Sequence, residues 1–226
     1  LLLVGGYQLL IHSRLLALRQ IEVKTEGRLD RQEIVNWAGL KPGESLLTLR
    51  LGEIRRHIEA HPWVERAWVT RSFPHTLEIR IRERRPVARV IVDKETYLLD
   101  ATGTIFPPLD HNPSGASHTL VGLRETDLRR RPEACQRVVQ EALELLALLK
   151  EHPEWRVREV GLDPDRGLRL ALEEGPWDIR LGFGDLKQRI ERLEKILEHL
   201  GKEGRRHQTP WIDLRYPRRA TAKVKG

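Results

Sequence analysis

The chain holds one cysteine, Cys135, and no methionine among 226 residues. A lone thiol excludes an intrachain disulfide framework and a structural zinc site built on cysteines. Aromatic residues are scarce, at 5%, and fall mostly at strand positions. Nucleic-acid binding is therefore not expected from the net charge of +7, because the 33 acidic residues interleave with the 40 basic ones. A nucleic-acid surface instead gathers its bases on one face beside stacking aromatics. There are five serines, none within G-x-S-x-G, and no histidine stands at motif distance from Cys135, so nucleophilic catalysis finds no constellation. No apolar run reaches the ~20 residues of a bilayer-spanning helix. With leucine at position 1 and no methionine anywhere, the chain is expected to be a piece of a longer one.

Other candidate chemistry dissolves on spacing. His57 and His61 bracket Ile-Glu-Ala, giving H-x-E-x-H where a zinc hydrolase needs H-E-x-x-H. The glutamate then points roughly 200° around the helix from the first histidine. Asp163-Pro164-Asp165-Arg166-Gly167 lacks the distal glutamate of a calcium loop and reads as a hairpin turn. Gly182-Phe183-Gly184 has no third glycine and no preceding βαβ unit for a dinucleotide. The expectation is a protein without catalytic residues, metal or cofactor.

What is present begins with LLLVGGYQLLI. This run is too short to span a bilayer alone and fits the last half of a transmembrane helix, with residues 12–20 as a juxtamembrane segment. A buried amphipathic helix and the tail of a signal peptide are the alternatives, although no small-residue cleavage site follows. Basic residues gather at 80–89 and at 215–226, where Arg215, Arg218, Arg219, Lys223 and Lys225 meet no acid. Such fields favour an anionic partner.

Between these ends the pattern is α+β. Ile21 and Val23 alternate with charged residues as a short strand. Asp30, three residues before Glu33, starts a helix that Gly39 ends. Leu51, Ile54 and Ile58 mark a second helix stopped at Pro62. Trp63–Arg71 and the alternation through Leu77, Ile79 and Ile81 give two strands around a turn at Phe73-Pro74-His75. The order is β-α-α-β-β over residues 21–89. Beyond Pro86, residues 90–226 read as a mixed, mainly antiparallel β domain with two flanking helices. Strands are expected at Val87–Val92, Tyr97–Leu99 and Thr104–Phe106, then a surface loop at 107–118. A helix starts at Pro132 with Val138, Val139, Ala142, Leu143, Leu146 and Leu149 inward. A meander over 156–181, a helix Leu186–Leu200 and a final strand Trp211–Tyr216 complete it. Pro217 marks that last strand as the border of its sheet.

Residues 21–89 resemble a POTRA domain, through Pro62-Trp63-Val64, Arg71…Pro74…Leu77 and Glu83-Arg84-x-Pro86-Val87-Ala88. With Leu99-Asp100-x-x-Gly103 and Ile212-Asp213-Leu214-Arg215-Tyr216, the chain resembles the FtsQ/DivIB cell-division family over nearly its whole length. The resemblance implies a non-enzymatic divisome subunit: a single-pass inner-membrane protein, mostly periplasmic, at the septum. It implies coiled-coil partners of the FtsB and FtsL type, held at Trp211, Leu214, Arg215, Tyr216, Arg218 and Arg219, and other division proteins met through the POTRA domain. The rival expectation is the periplasmic POTRA segment of an outer-membrane assembly or secretion machine.

Overall fold

The computed structural model describes residues 16–41, 43–109, 118–174, 178–204, 209–216 and 221–223. Most of the apolar start, the centre of the 107–118 loop, Trp177, Pro217, Arg218 and Arg219 lie outside the described residues. The chain divides into two compact units, 1–84 and 85–226.

The first unit runs β1 (Gln20–Lys24), α1 (Arg31–Ala38), α2 (Leu51–Glu59), β2 (Val64–Ser72), β3 (Thr76–Glu83). Its sheet has the order β1-β3-β2, with β1 parallel and β2 antiparallel to β3. Alternation sorts the faces. Val23, Leu77, Ile79, Ile81 and Ala67 are buried with Ile34, Ile54 and Ile58 of the helices, whereas Lys24, Arg80, Arg82 and Arg66 stay exposed. Asp30 starts α1 by accepting from the backbone N–H groups of Gln32 (2.7 Å) and Glu33 (3.3 Å), and Gly39 at φ 63° closes it. Those are the residue types that helix ends need, an acceptor for free N–H groups and a left-handed cap.

Two side chains tie its loops to the sheet. The Glu83 carboxylate accepts from the Thr25 hydroxyl and from the backbone N–H groups of Arg28 (2.7 Å) and Leu29 (3.2 Å). The Arg71 guanidinium donates to the carbonyls of Leu46 (2.5 Å) and Leu49 (2.6 Å), pinning the loop between the helices. His61, half of the dismissed metal pair, stacks on Trp37 at 4.0 Å, and its Nδ1 accepts from the Trp63 N–H. Burial pushes the imidazole below its ordinary pKa against the opposing pull of Glu33, which favours the neutral ring.

The second unit is one nine-stranded mixed sheet in the order β12-β11-β10-β9-β8-β7-β4-β5-β6. Its strands are β4 (Pro86–Val92), β5 (Glu95–Asp100), β6 (Ile105–Phe106), β7 (His118–Leu123), β8 (Val157–Asp163), β9 (Gly167–Leu172), β10 (Asp178–Gly182), β11 (Trp211–Asp213) and β12 (Thr221–Lys223). Helices α3 (Glu125–Arg130) and α4 (Pro132–Leu149) follow β7, and α5 (Leu186–Lys202) follows β10. Every second residue of the central strands (Val160 and Leu162, Leu168 and Leu170, Ile179 and Leu181) packs in one core with Val138, Ala142 and Leu145 of α4 and Ile190, Leu193 and Leu197 of α5. Asp100 shapes the turn after β5 by accepting from the Thr102 and Thr104 N–H groups, both at 2.9 Å, and Gly103 there takes φ 91°.

Three sequence expectations need correction. His118–Leu123 is a strand, β7, inserted in parallel between β4 and β8, where only the end of a loop is expected. Helix α3 goes unpredicted because it buries no residue and so leaves no apolar period to read. The last strand, expected as Trp211–Tyr216 at the sheet border, is the three-residue β11. It lies between β10 and β12, so the border belongs to β12.

Candidate functional site

The site grows from the segment Trp211–Tyr216. Ile212 and Leu214 are fully buried, and the Leu214 N–H donates to the Arg180 carbonyl (2.9 Å), so one face of the segment is nailed into the core. Leu214, expected among the partner-binding residues, has its side chain fully buried in the core. Beyond Leu214 a side chain captures the following donor: the Asp213 carboxylate accepts from the Arg215 N–H at 3.1 Å. It also accepts from the Arg215 guanidinium, at 2.6 Å from Nη2 and 3.0 Å from Nε. That guanidinium holds the Asp213 carboxyl below its ordinary range, against the opposing effect of burial.

Helix α5 braces the same turn from beneath. Arg189, buried at 8% exposure, donates to the carbonyls of Leu181 (2.5 Å), Phe183 (2.7 Å) and Arg215 (3.5 Å). Arg192 donates to the Tyr216 carbonyl at 3.0 Å. The approach to the helix is tied to α4, since the Glu141 carboxylate accepts the Gly184 N–H at 3.0 Å. Gly182, at φ 74°, lies under the stem of Arg215, whose Cγ would stand 3.0 Å from an added Cβ. The glycine thus lets the arginine lie flat.

What this scaffold presents outward is aromatic and cationic. Tyr216 is 61% exposed, one of four exposed large apolar side chains among the described residues. The Arg215 guanidinium carbon lies 5.9 Å from its ring centroid. Trp211, half-buried, has Arg180 over its ring at 5.4 Å, and Arg180 is held in turn by Asp178 at 2.9 Å. The far side of β12 carries no paired strand among the described residues. An extended segment could add there through main-chain hydrogen bonds.

The structure therefore places Trp211, Arg215 and Tyr216 at the surface of one segment and buries Leu214, while Arg218 and Arg219 lie outside the described residues. Sequence reasoning missed Arg189 and Arg192, which support the turn. Their signal was faint, since helical arginines usually face water, and only the inward spacing of Arg189 with Leu186, Ile190 and Leu193 hints at burial. No cluster of three or more potential metal ligands occurs among the described residues.

These two units, a β-α-α-β-β module and a mixed sheet closed by a braced terminal strand pair, define a POTRA-bearing protein of the FtsQ type. Residues 16–84 match the family model described as POTRA domain, FtsQ-type, and residues 88–215 match Cell division protein FtsQ/DivIB, C-terminal. Cell division protein FtsQ of Geotalea daltonii is 35% identical over 199 residues, covering 87% of this chain and 72% of the relative. That of Geobacter sp. strain M21 is 32% identical over 218 residues, 94% of this chain and 78% of the relative. That of Anaeromyxobacter sp. strain K is 31% identical over 220 residues, 93% and 72%. The chain belongs to the FtsQ/DivIB family of cell-division proteins.

Proposed function

We propose that this chain is a non-enzymatic subunit of the division machinery that captures coiled-coil partners along the free edge of β12 and the Arg215–Tyr216 turn. It links early and late division proteins during septum formation, with the POTRA unit making further contacts. An N-terminal helix anchors it once in the inner membrane, and most of the chain lies in the periplasm. No helix among the described residues is long and apolar enough to cross a bilayer; the anchor is assigned to the apolar run at residues 1–11.

The observation that carries this reading is Tyr216, an exposed aromatic just after β11 whose backbone carbonyl is held by Arg192 of α5. Residues 215–226 hold five basic side chains and no acid, which suits an acidic extended segment of the FtsB or FtsL type. Arg215 is already committed to Asp213, so its remaining donors and its stacking on Tyr216 are what it offers a partner. Arg218 and Arg219 serve association rate more than affinity.

The test is binding of the acidic periplasmic segment of the coiled-coil partner. Tyr216→Ala is expected to weaken it by about 2 kcal/mol, roughly 30-fold. An Arg218/Arg219 double alanine variant is expected to slow association and flatten its salt dependence. Unchanged affinity in folded Tyr216→Ala protein places the partner elsewhere. Depletion in cells is expected to give filaments without septa.

A further inference from the structure

The first unit carries two exposed aromatics, Trp68 and the far more exposed Phe73, and the position of Phe73 is left unexplained by the binding of coiled-coil partners. Phe73 is 58% exposed at the tip of the β2–β3 hairpin, followed by Pro74, also exposed. Polar residues and glycine serve a turn equally well, and an isolated surface aromatic usually needs no explanation. Its location gives it one.

Because β1 pairs in parallel with β3, with Gln20 opposite Thr76, the chain enters the sheet at the end where the hairpin turns. The Arg19 and Gln20 N–H groups both donate to the His75 carbonyl, at 3.0 and 3.3 Å. The preceding residues are fastened to the same end: Leu18 donates to Glu44 and accepts from Gly43, and Leu46 donates to Leu16. The apolar run ends at Ile11, eight residues before Arg19, which is at most ~28 Å of extended chain. Arg19 and Lys41 are exposed at this end. The opposite end, where Glu83 holds the loop after β1, stands roughly 20 Å away along the strands.

We propose that Phe73 and Pro74 seat the first unit on the headgroup layer of an anionic bilayer, beside the point where the chain leaves that bilayer. The proposal rests on the membrane-anchored reading above. An aromatic tip flanked by cations is the side-chain chemistry that partitions to a bilayer interface, the ring among the upper acyl carbons and the cations at the phosphates. A hairpin contact so near the anchor fixes the orientation of the unit relative to the membrane. Charge complementarity selects the lipid: Arg19 and Lys41 favour phosphatidylglycerol over a zwitterionic surface.

The experiment uses the full chain, residues 1–15 included, in vesicles containing phosphatidylglycerol and headgroup spin-labelled lipid. Cys135 is replaced in a Cys135→Ala background. An environment-sensitive fluorophore is placed at Ser72→Cys, which leaves Phe73 intact, or at Glu26→Cys on the far end of the sheet. The expected result is co-flotation with the vesicles and quenching at least about twofold stronger at position 72 than at position 26. Phe73→Asp should abolish that difference, and phosphatidylcholine vesicles should reduce it. Co-flotation with equal quenching at both positions overturns the proposal while leaving the anchor intact. Quenching at position 72 that Phe73→Asp leaves unchanged also overturns it. Failure to co-float overturns the proposal, because the run of residues 1–11 is too short to span a bilayer alone and the hairpin contact must then hold the chain on the vesicles.

Discussion

Trp63 and Glu83 do more for the first unit than their neighbours in sequence suggest. The Trp63 side chain is 3% exposed, so Trp63→Ala is expected to cost about 3–5 kcal/mol in chemical denaturation. A loss under about 1 kcal/mol contradicts its packing role. Glu83 satisfies two backbone donors and a hydroxyl with one carboxylate, and Glu83→Ala leaves those donors to find water. A loss of about 2–3 kcal/mol is expected in the same measurement, with increased hydrogen exchange at Arg28 and Leu29 as its local mark. Gly27 depends on the same carboxylate: an added Cβ collides with it, so Gly27→Ala is expected to reproduce the exchange signature by displacing Glu83. In the second unit Gly122 takes φ 107°, and an added Cβ would stand 2.6 Å from the Leu162 carbonyl oxygen. Gly122→Ala is expected to destabilise by about 1–3 kcal/mol.

The terminal strand pair is the element to which the proposed partner binding is assigned, and its stability carries a pH signature. The folded-state pKa of Asp213 is lowered by the hydrogen bond from Arg215. Its contribution is therefore complete above the unfolded carboxylate value of about 4 and is lost as pH falls through the lower folded value. Asp213→Asn removes that titration. The advantage of the natural chain over this variant, followed by denaturation between neutral pH and about pH 3, is expected to be largest at neutrality and to shrink on acidification. An advantage that grows toward low pH contradicts the pairing. The same turn shows why its length was misread. Ile212-Asp213-Leu214-Arg215-Tyr216 alternates like a strand, but a local carboxylate outcompetes the ladder for the Arg215 N–H. Competition of this kind between side chain and backbone leaves no mark in hydrophobic periodicity.

At the scale of the whole molecule, the chain divides between Arg84 and Arg85, and the second unit has its own core running from Ala88 to Leu214 among the described residues. Limited trypsin digestion is expected to cut there first and leave two resistant fragments. Early cleavage inside α4 or β8 is the contrary result. The long-range order of the second sheet explains what went unseen in it. β7 is flanked by β4 and β8, both parallel to it, and both partners are remote along the chain. Its short segment His118–Leu123, interrupted by Gly122, follows a stretch rich in proline and glycine that reads as loop.

Local chemistry was enough for most of the fold. The cap at Asp30, the stop at Gly39, the alternation through Leu77, Ile79 and Ile81 and the apolar stripe of α5 are decided within a few residues, because helix ends and sheet faces are set by nearest neighbours. The family, too, was written in short strings such as Glu83-Arg84-x-Pro86-Val87-Ala88. The site was legible only in part. Arg215 and Tyr216 stood out by motif, yet the burial of Leu214, the return of the chain as β12 and the bracing of the turn by Arg189 and Arg192 depend on groups brought together from three separate elements. Tertiary packing alone decided which strand has a free edge and which aromatic stays in water, because both depend on what else the folded chain lays alongside.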